Sequence, residues 1–122
     1  MPNQSSHTKL LKSPDETRNF KAHGHLDLVN FADDAVVGQG TFEPGWRWSV
    51  DVKPLAGTKS CMTSHTGYCI SGRMTIKMDD GEQFNLEPGA AFHIPPGHDA
   101  WVEGNEPCLL IDVGVKEYAK PH

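Results

Sequence analysis

The sequence has no long hydrophobic run and no cluster of basic residues. A membrane-spanning helix needs about 20 mostly apolar residues in succession, and no stretch of the 122-residue chain approaches that length. The chain has 11 Lys and Arg against 16 Asp and Glu, a net charge of −5, and no basic run longer than a pair. Proteins that bind the phosphate backbone of nucleic acids carry a basic patch. We therefore expect neither a membrane nor a nucleic acid as a partner.

Cysteine is also scarce. Cys61, Cys69 and Cys108 are an odd number without CxxC pairing, whereas secreted domains held by disulfides carry cysteines in pairs. The first residues, MPNQSSHTKLLKSPDE, lack the apolar stretch of a secretory signal. We predict a cytoplasmic protein with reduced thiols. A chain of this length buries enough surface for one domain with its own core, so neither a metal nor a disulfide is needed for folding.

Turn-forming residues divide most of the chain into short segments. Gly, Pro, Asp and Ser recur between runs rich in β-branched and aromatic residues, and no long stretch has the helical period of 3.6 residues. This pattern is typical of an all-β sandwich or barrel. The predicted strands are 25–31, 35–42, 46–53, 67–70, 74–78, 83–86, 90–94, 100–103 and 107–113.

The two ends of the chain differ from this middle part. Residues 1–20 are polar with little apolar periodicity, so we predict a flexible N-terminal arm. Residues 21–116 form the predicted barrel domain, and residues 117–122 a short C-terminal tail. A weak helix is predicted over residues 115–120, and Pro121 would end it.

The surest local prediction is a hairpin between residues 74 and 86. Met74, Ile76 and Met78 alternate with polar residues, which indicates one buried and one solvated strand face. The Asp80-Gly81 pair that follows supplies the positive φ angles that a tight turn requires.

Three segments resemble the sequence motifs of cupins: GRMTIKMDDG at 72–81, LEPG at 86–89 and FHIPPG at 92–97. The resemblance covers residues 44–112. It implies an all-β, double-stranded β-helix barrel of the jelly-roll type in a single domain, usually as a homodimer, with a small molecule in the cup. It also implies a metal held by an HxH pair, a Glu and a His shortly after the PPG turn.

The chain departs from this ligand pattern. The resemblance places the Glu seven residues before Gly72, where His65 stands. The last His would lie three residues after Gly97, where the chain has Ala100, while His98 directly follows the glycine. We predict that His65 and His98 face one cavity.

The HxH pair has two alternative counterparts, Asp51 with Lys53 or Lys59 with Cys61. As a strand, residues 46–53 would place Asp51 on the face opposite the tryptophans. If Asp51 points into the cup, a second subunit must cover the apolar face, in agreement with a homodimer. The third metal ligand is therefore predicted to be Asp51 or Cys61.

The choice of third ligand bears on the metal. Imidazole with thiolate favours Zn or Cu(I), and imidazole with carboxylate allows Fe(II), Mn or Ni. The expected cofactor is thus a divalent transition metal (Zn, Fe, Mn, Ni or Cu), and the alternative is a metal-free cup in which the histidines form hydrogen bonds.

Three further residues are predicted to serve the site. Tyr68, with His65 and His98, is a candidate catalytic group because a phenol can donate or accept a proton. His93 shares a strand face with the small Ala91 and is predicted to line the pocket with Lys53.

The functional hypothesis is an enzyme acting on a small metabolite in the cup, of oxygenase, isomerase or lyase type. The alternative is a non-catalytic ligand-binding or sensor cupin without metal. A fold does not fix the reaction.

Overall fold

The computed structural model describes residues 7–32, 35–116 and 118–119 of the chain. Within those residues it contains nine strands and two short helices. In chain order they are β1 (Glu16–Asn19), β2 (Gly24–Ala32), β3 (Ala35–Phe42), α1 (Trp48–Asp51), α2 (Lys53–Ala56), β4 (His65–Ser71), β5 (Arg73–Met78), β6 (Gln83–Leu86), β7 (Ala91–Ile94), β8 (His98–Glu103) and β9 (Cys108–Asp112).

The strands form two antiparallel sheets. Six strands follow the order β1-β2-β3-β9-β4-β7, and three follow the order β6-β5-β8. The core contains side chains from both sheets, among them Leu26, Leu28, Ile76 and Leu86. The prediction of an all-β, double-stranded β-helix barrel is confirmed. No helix in the described ranges is long and apolar enough to cross a membrane.

The predicted hairpin is present as β5 and β6. Met74 pairs with Leu86 and Ile76 with Phe84, and both Met74 and Ile76 are buried. The turn between the strands contains Gly81 with a φ of 97°, which glycine adopts at little cost. Alternating hydrophobicity and turn chemistry were therefore sufficient to predict this element.

Residues 46–53, predicted as a strand, instead lead into α1 and α2. Their alternating pattern is typical of a strand, but the carboxylate of Asp51 accepts the amide of Arg47 at 3.1 Å. This bond satisfies one of the N–H groups that the start of a helix leaves free. Pro54 stands in the first turn of α2, and Gly57 ends it in the left-handed conformation. Pro near a helix start and Gly after its end favour helix.

The prediction of a flexible N-terminal arm is also corrected. Residues 16–19 are strand β1, paired with β2, rather than part of a flexible arm, and residues 1–6 lie outside the described residues. Arg18 of this strand is buried and donates hydrogen bonds to the carbonyls of Val115 and Tyr118, at 3.1 and 2.8 Å. These bonds hold Val115 and Tyr118 against β1.

The predicted helix over residues 115–120 and the predicted tail over residues 117–122 are described only in part. Residues 117 and 120–122 lie outside the described residues. Tyr118 and Ala119 are described and buried. The Tyr118 amide donates to the Val115 carbonyl at 3.1 Å, which closes a turn.

Candidate metal centre

The candidate metal centre lies where the loop before β4 meets the start of β8. The Cys61 amide donates to the His98 carbonyl at 2.8 Å, and the Gly97 amide donates to the Cys61 carbonyl at 2.7 Å. Gly97 ends the Pro-Pro-Gly turn with a φ of 94°, a conformation that favours glycine. This short β-bridge fixes Cys61 beside His98, while His65 is the first residue of β4.

Three buried side chains converge at this point. Cys61, His65 and His98 each place one potential ligand atom within 4.8 Å of the other two. Sγ of Cys61 lies 3.6 Å from Nε2 of His65, and the two imidazole centroids are 5.4 Å apart. Among the described residues this is the only group of three or more His, Cys, Asp or Glu that could hold a metal ion.

Each histidine of this group has its other ring nitrogen paired with an oxygen. Nδ1 of His65 lies 2.5 Å from Oδ2 of Asp112, and Nδ1 of His98 lies 2.9 Å from the carbonyl of Pro95. The carbonyl, like an ionised carboxylate, only accepts, so Nδ1 carries a proton in both rings. Nε2 is then the nitrogen that can bind a metal. Metal-binding histidines usually have this arrangement.

The charges of Cys61 and His65 depend on each other. Burial raises the pKa of the Cys61 thiol, but hydrogen bonds and charge from His65 and His98 outweigh burial and lower this pKa to about 6. Burial lowers the pKa of His65, but Asp112 and Cys61 outweigh it and raise this pKa to about 9. These two shifts favour a thiolate beside an imidazolium at neutral pH, and a metal ion would displace the Nε2 proton.

The donor set and its spacing fit a tetrahedral ion. Zinc binds a thiolate sulfur at about 2.3 Å and an imidazole nitrogen at about 2.0–2.1 Å, and at the tetrahedral angle these bonds place sulfur and nitrogen about 3.6 Å apart. The distance from Cys61 Sγ to His65 Nε2 is 3.6 Å. Three protein ligands leave one coordination position open, as in catalytic zinc sites.

A largely apolar cavity adjoins the cluster. His65 and His98 belong to its wall. Aromatic rings form much of the remaining wall, contributed by Phe42, Trp46, Trp48, Phe92 and Tyr118. Apolar walls with a few polar groups are typical of small-molecule sites.

Asp51 is not part of the cluster. Its buried carboxylate lies 3.1 Å from Nδ1 of His23 and accepts the Arg47 amide. The prediction of Asp51 as a metal ligand is therefore corrected, because its carboxylate is committed to the start of α1. The structure places the alternative, Cys61, beside the two histidines.

Three other predicted site residues lie outside the cavity. Tyr68 is 48 % exposed on β4, and His93 is exposed on β7, where its Nδ1 lies 2.9 Å from Thr66 Oγ1. Strand alternation placed His93 opposite Phe92 correctly, but the face of Phe92 is the one that lines the cavity. Lys53 is exposed at the start of α2. The predictions for these three residues are wrong.

Asp112 and Tyr118 were missed. Asp112 stands on β9, where it pairs with Gly67 of β4. It therefore reaches His65 from an adjacent strand that is distant in sequence. Its strand face, shared with Leu110, was the available clue. Tyr118 packs edge-on against His65 at a centroid distance of 4.9 Å and belongs to the predicted tail, where no pattern pointed inward.

These features define a double-stranded β-helix barrel with a Cys–His–His cluster beside an apolar cavity. The family model described as "Cupin domain" matches residues 61–114, which include all three residues of the cluster. Over these residues the chain is similar to a cupin domain. A search of curated proteins finds no significant match.

Solved structures share the fold at low sequence identity. KdgF from Halomonas sp. is 19% identical with a TM-score of 0.60, over 88% of this chain and 91% of that one. An RmlC-like cupin from Shewanella frigidimarina is 16% identical with a TM-score of 0.60, over 93% and 95% of the two chains. A protein with a double-stranded β-helix domain from Klebsiella pneumoniae is 20% identical with a TM-score of 0.57, over 92% and 87%.

Proposed function

We propose that this protein is a metal-dependent enzyme that holds one transition-metal ion through Cys61, His65 and His98 and acts on a small molecule in the adjoining cavity. The observation that carries the proposal is the pairing of both Nδ1 atoms, with Asp112 and with the Pro95 carbonyl. These bonds orient both rings so that Nε2 is the nitrogen left for a metal.

Zinc is the metal that the donor set favours. One thiolate and two imidazoles suit zinc, whereas manganese and magnesium prefer oxygen ligands. Bound zinc would supply a Lewis acid that polarises a carbonyl or lowers the pKa of a water molecule. The chain's own contributions are to hold the ligands, to provide the negative charge of Cys61 and to exclude bulk water with the apolar wall.

The proposal is tested by metal analysis of purified protein after reconstitution with zinc and removal of excess ion. We expect about one equivalent in the wild type and a large loss in Cys61→Ser and in His98→Ala, because each removes one of three ligands. His93→Ala is the matched control, since His93 is an exposed histidine on a neighbouring strand, and should retain the full equivalent. A wild type that retains no zinc contradicts the proposal.

A second candidate function uses the same residues without metal. Cys61, His65 and Asp112 form a chain of contacts of 3.6 and 2.5 Å, which is the order of nucleophile, base and orienting carboxylate. In this function the Cys61 thiolate attacks an activated ester, forms a thioester and releases the alcohol, which takes its proton from His65.

His98 separates the two functions. With p-nitrophenyl acetate as the probe, metal-free chemistry at Cys61 persists after chelator washing and in His98→Ala, but not in Cys61→Ser. Metal-dependent hydrolysis is lost in all three conditions and returns only in the washed wild type when zinc is added.

A further inference from the structure

Two tryptophans in the cavity wall have indole N–H groups without a partner. Trp46 and Trp48 are each 2% exposed, and both line the cavity. Neither Nε1 atom has a hydrogen-bond partner among the described residues. Of the buried side-chain nitrogen and oxygen atoms in that part of the chain, these two are the only ones found without a partner.

Such a pair is unusual, because an indole N–H is a donor only and usually finds an acceptor when buried. The third tryptophan of the chain behaves in the usual way: Nε1 of Trp101 donates to Oε2 of Glu103 at 3.0 Å. The barrel therefore supplies an acceptor for the tryptophan on its outside and none for the two at its cavity. Buried polar groups without partners call for an explanation such as a water or a ligand.

A molecule in the cavity, which both tryptophans line, is a source of the missing acceptor. Among the lining residues, Asp112 is the one carboxylate, and its two oxygens are engaged by His65 Nδ1 and the Gly114 amide. The described lining contains no Lys or Arg, and its His65 is already paired with the carboxylate of Asp112. A neutral oxygen acceptor on an otherwise apolar molecule matches this wall.

We propose that the cavity binds a small, largely apolar carbonyl compound whose oxygen accepts hydrogen bonds from the indole N–H groups of Trp46 and Trp48. This inference deepens the proposed function and rests on it for the identity of the site, since the ligand occupies the cavity beside the Cys–His–His cluster. A carbonyl oxygen has two lone pairs and so accepts from either indole or from both. The apolar wall contacts the rest of the molecule.

The test compares two compounds of nearly equal shape, cyclohexanone and methylenecyclohexane, which differ by C=O against C=CH₂. The readout is the ¹H–¹⁵N spectrum of the full chain, in which each tryptophan gives one indole signal. We expect cyclohexanone to bind more tightly and to move the signals of Trp46 and Trp48 downfield. The signal of Trp101 is the internal control and should stay in place, because its N–H is already bonded to Glu103.

Variants that keep the ring and remove the donor extend the test. Trp46→Phe and Trp48→Phe should each weaken the binding of cyclohexanone about 2- to 10-fold, which is the value of one neutral hydrogen bond. The affinity for methylenecyclohexane should stay nearly unchanged. Trp101→Phe should change neither affinity. The wild-type spectra decide the matter if a Phe variant fails to fold.

Four outcomes overturn the inference: cyclohexanone fails to bind, both compounds bind equally, all three indole signals move together, or cyclohexanone binds with no indole signal moving. The last result would mean that the indoles donate to retained water. Each measurement is made on zinc-loaded and on chelator-washed protein. Selective ketone binding to a protein that never retains zinc would refute the proposed metal function alone, and zinc retention without selective binding would refute this inference alone.

Discussion

At the scale of single residues, Asp112 controls the electrostatics of the site. Its Oδ2 lies 2.5 Å from Nδ1 of His65, and its Oδ1 accepts the Gly114 amide at 2.8 Å. Both oxygens are therefore fixed inside the barrel. Asp112 favours a positive charge on His65, and that charge favours the thiolate of Cys61. One carboxylate thus acts on a thiol that it does not touch.

This chain of effects predicts the titration of Cys61 in metal-free protein. The ultraviolet absorbance of the thiolate should rise with pH through about 6, because deprotonation creates the charge that His65 stabilises. In Asp112→Asn the imidazolium loses its partner, so the midpoint should move to higher pH. Cys61→Ser should lack the transition, since burial raises the pKa of both Cys69 and Cys108. A wild-type midpoint in the range of ordinary thiols contradicts the assignment.

The same carboxylate should affect metal affinity. Carboxylates bonded to a metal-binding histidine contribute about 10- to 100-fold to affinity, so Asp112→Asn should weaken zinc binding by about that factor in a competition titration with a chromophoric chelator. Asp27→Asn is the matched control, because Asp27 accepts a hydrogen bond from Thr17 at an exposed position of β2. Equal affinities in the two variants would remove Asp112 from the site.

The sequence was informative about some of these residues and silent about others. His65 and His98 are defined by their spacing from Gly72 and Gly97, so local motifs were enough to select them. Asp112 meets His65 because β4 pairs with β9, and that register depends on packing between segments more than 40 residues apart. Such pairing leaves no mark in residue spacing.

At the scale of elements, residues 46–53 show how tertiary contacts override a local pattern. Alternation predicts that Trp48, Val50 and Val52 share one face, yet Trp48 and Val52 are buried and Val50 is 57% exposed. The helix places residues four apart on the same side, which is the spacing of Trp48 and Val52. The nearby Pro54 and Gly57 were the local signal for a helix, because they match its start and end.

Asp51 is accordingly predicted to matter for stability and not for metal binding. Asp51→Ala should lower the free energy of unfolding by about 1–3 kcal/mol in a denaturant titration, because the Arg47 amide and His23 lose their buried acceptor. Asp51→Asn should cost less. Both variants should still retain about one equivalent of zinc. Loss of zinc from folded Asp51→Asn would restore Asp51 as a ligand candidate.

At the scale of the whole molecule, the barrel could be predicted because its turn residues agree with its strand pattern along most of the chain. The pattern did not predict which apolar residues are exposed on the outer surface of the larger sheet. Tyr68 and Ile70 of β4 are exposed there, as is Val113 just after β9, and Tyr68 pairs with Ile111 of β9. The dimer predicted from residues 46–53 loses that support, since Trp46, Trp48 and Val52 pack into the core, but this apolar face offers another contact.

We expect a homodimer in which this face meets its copy, because a two-fold interface uses the same patch on both subunits. Light scattering at micromolar concentration should give twice the mass of one chain. Ile70→Asp should halve that mass, since it buries a charge in the interface. Val50→Asp should not, because Val50 is also exposed but lies on α1. A wild type with the mass of a single chain refutes the expectation.

The two backbone hydrogen bonds between the Cys61 loop and the start of β8 also determine the order of assembly. They are made by amides and carbonyls of the chain itself, so the ligand positions are in place once the barrel has folded. In a zinc finger the ion supplies the folding energy, whereas the ion proposed here would bind in a separate, later equilibrium to a chain that has already folded. If the proposed ion binds, the protein would gain, lose or exchange it without unfolding.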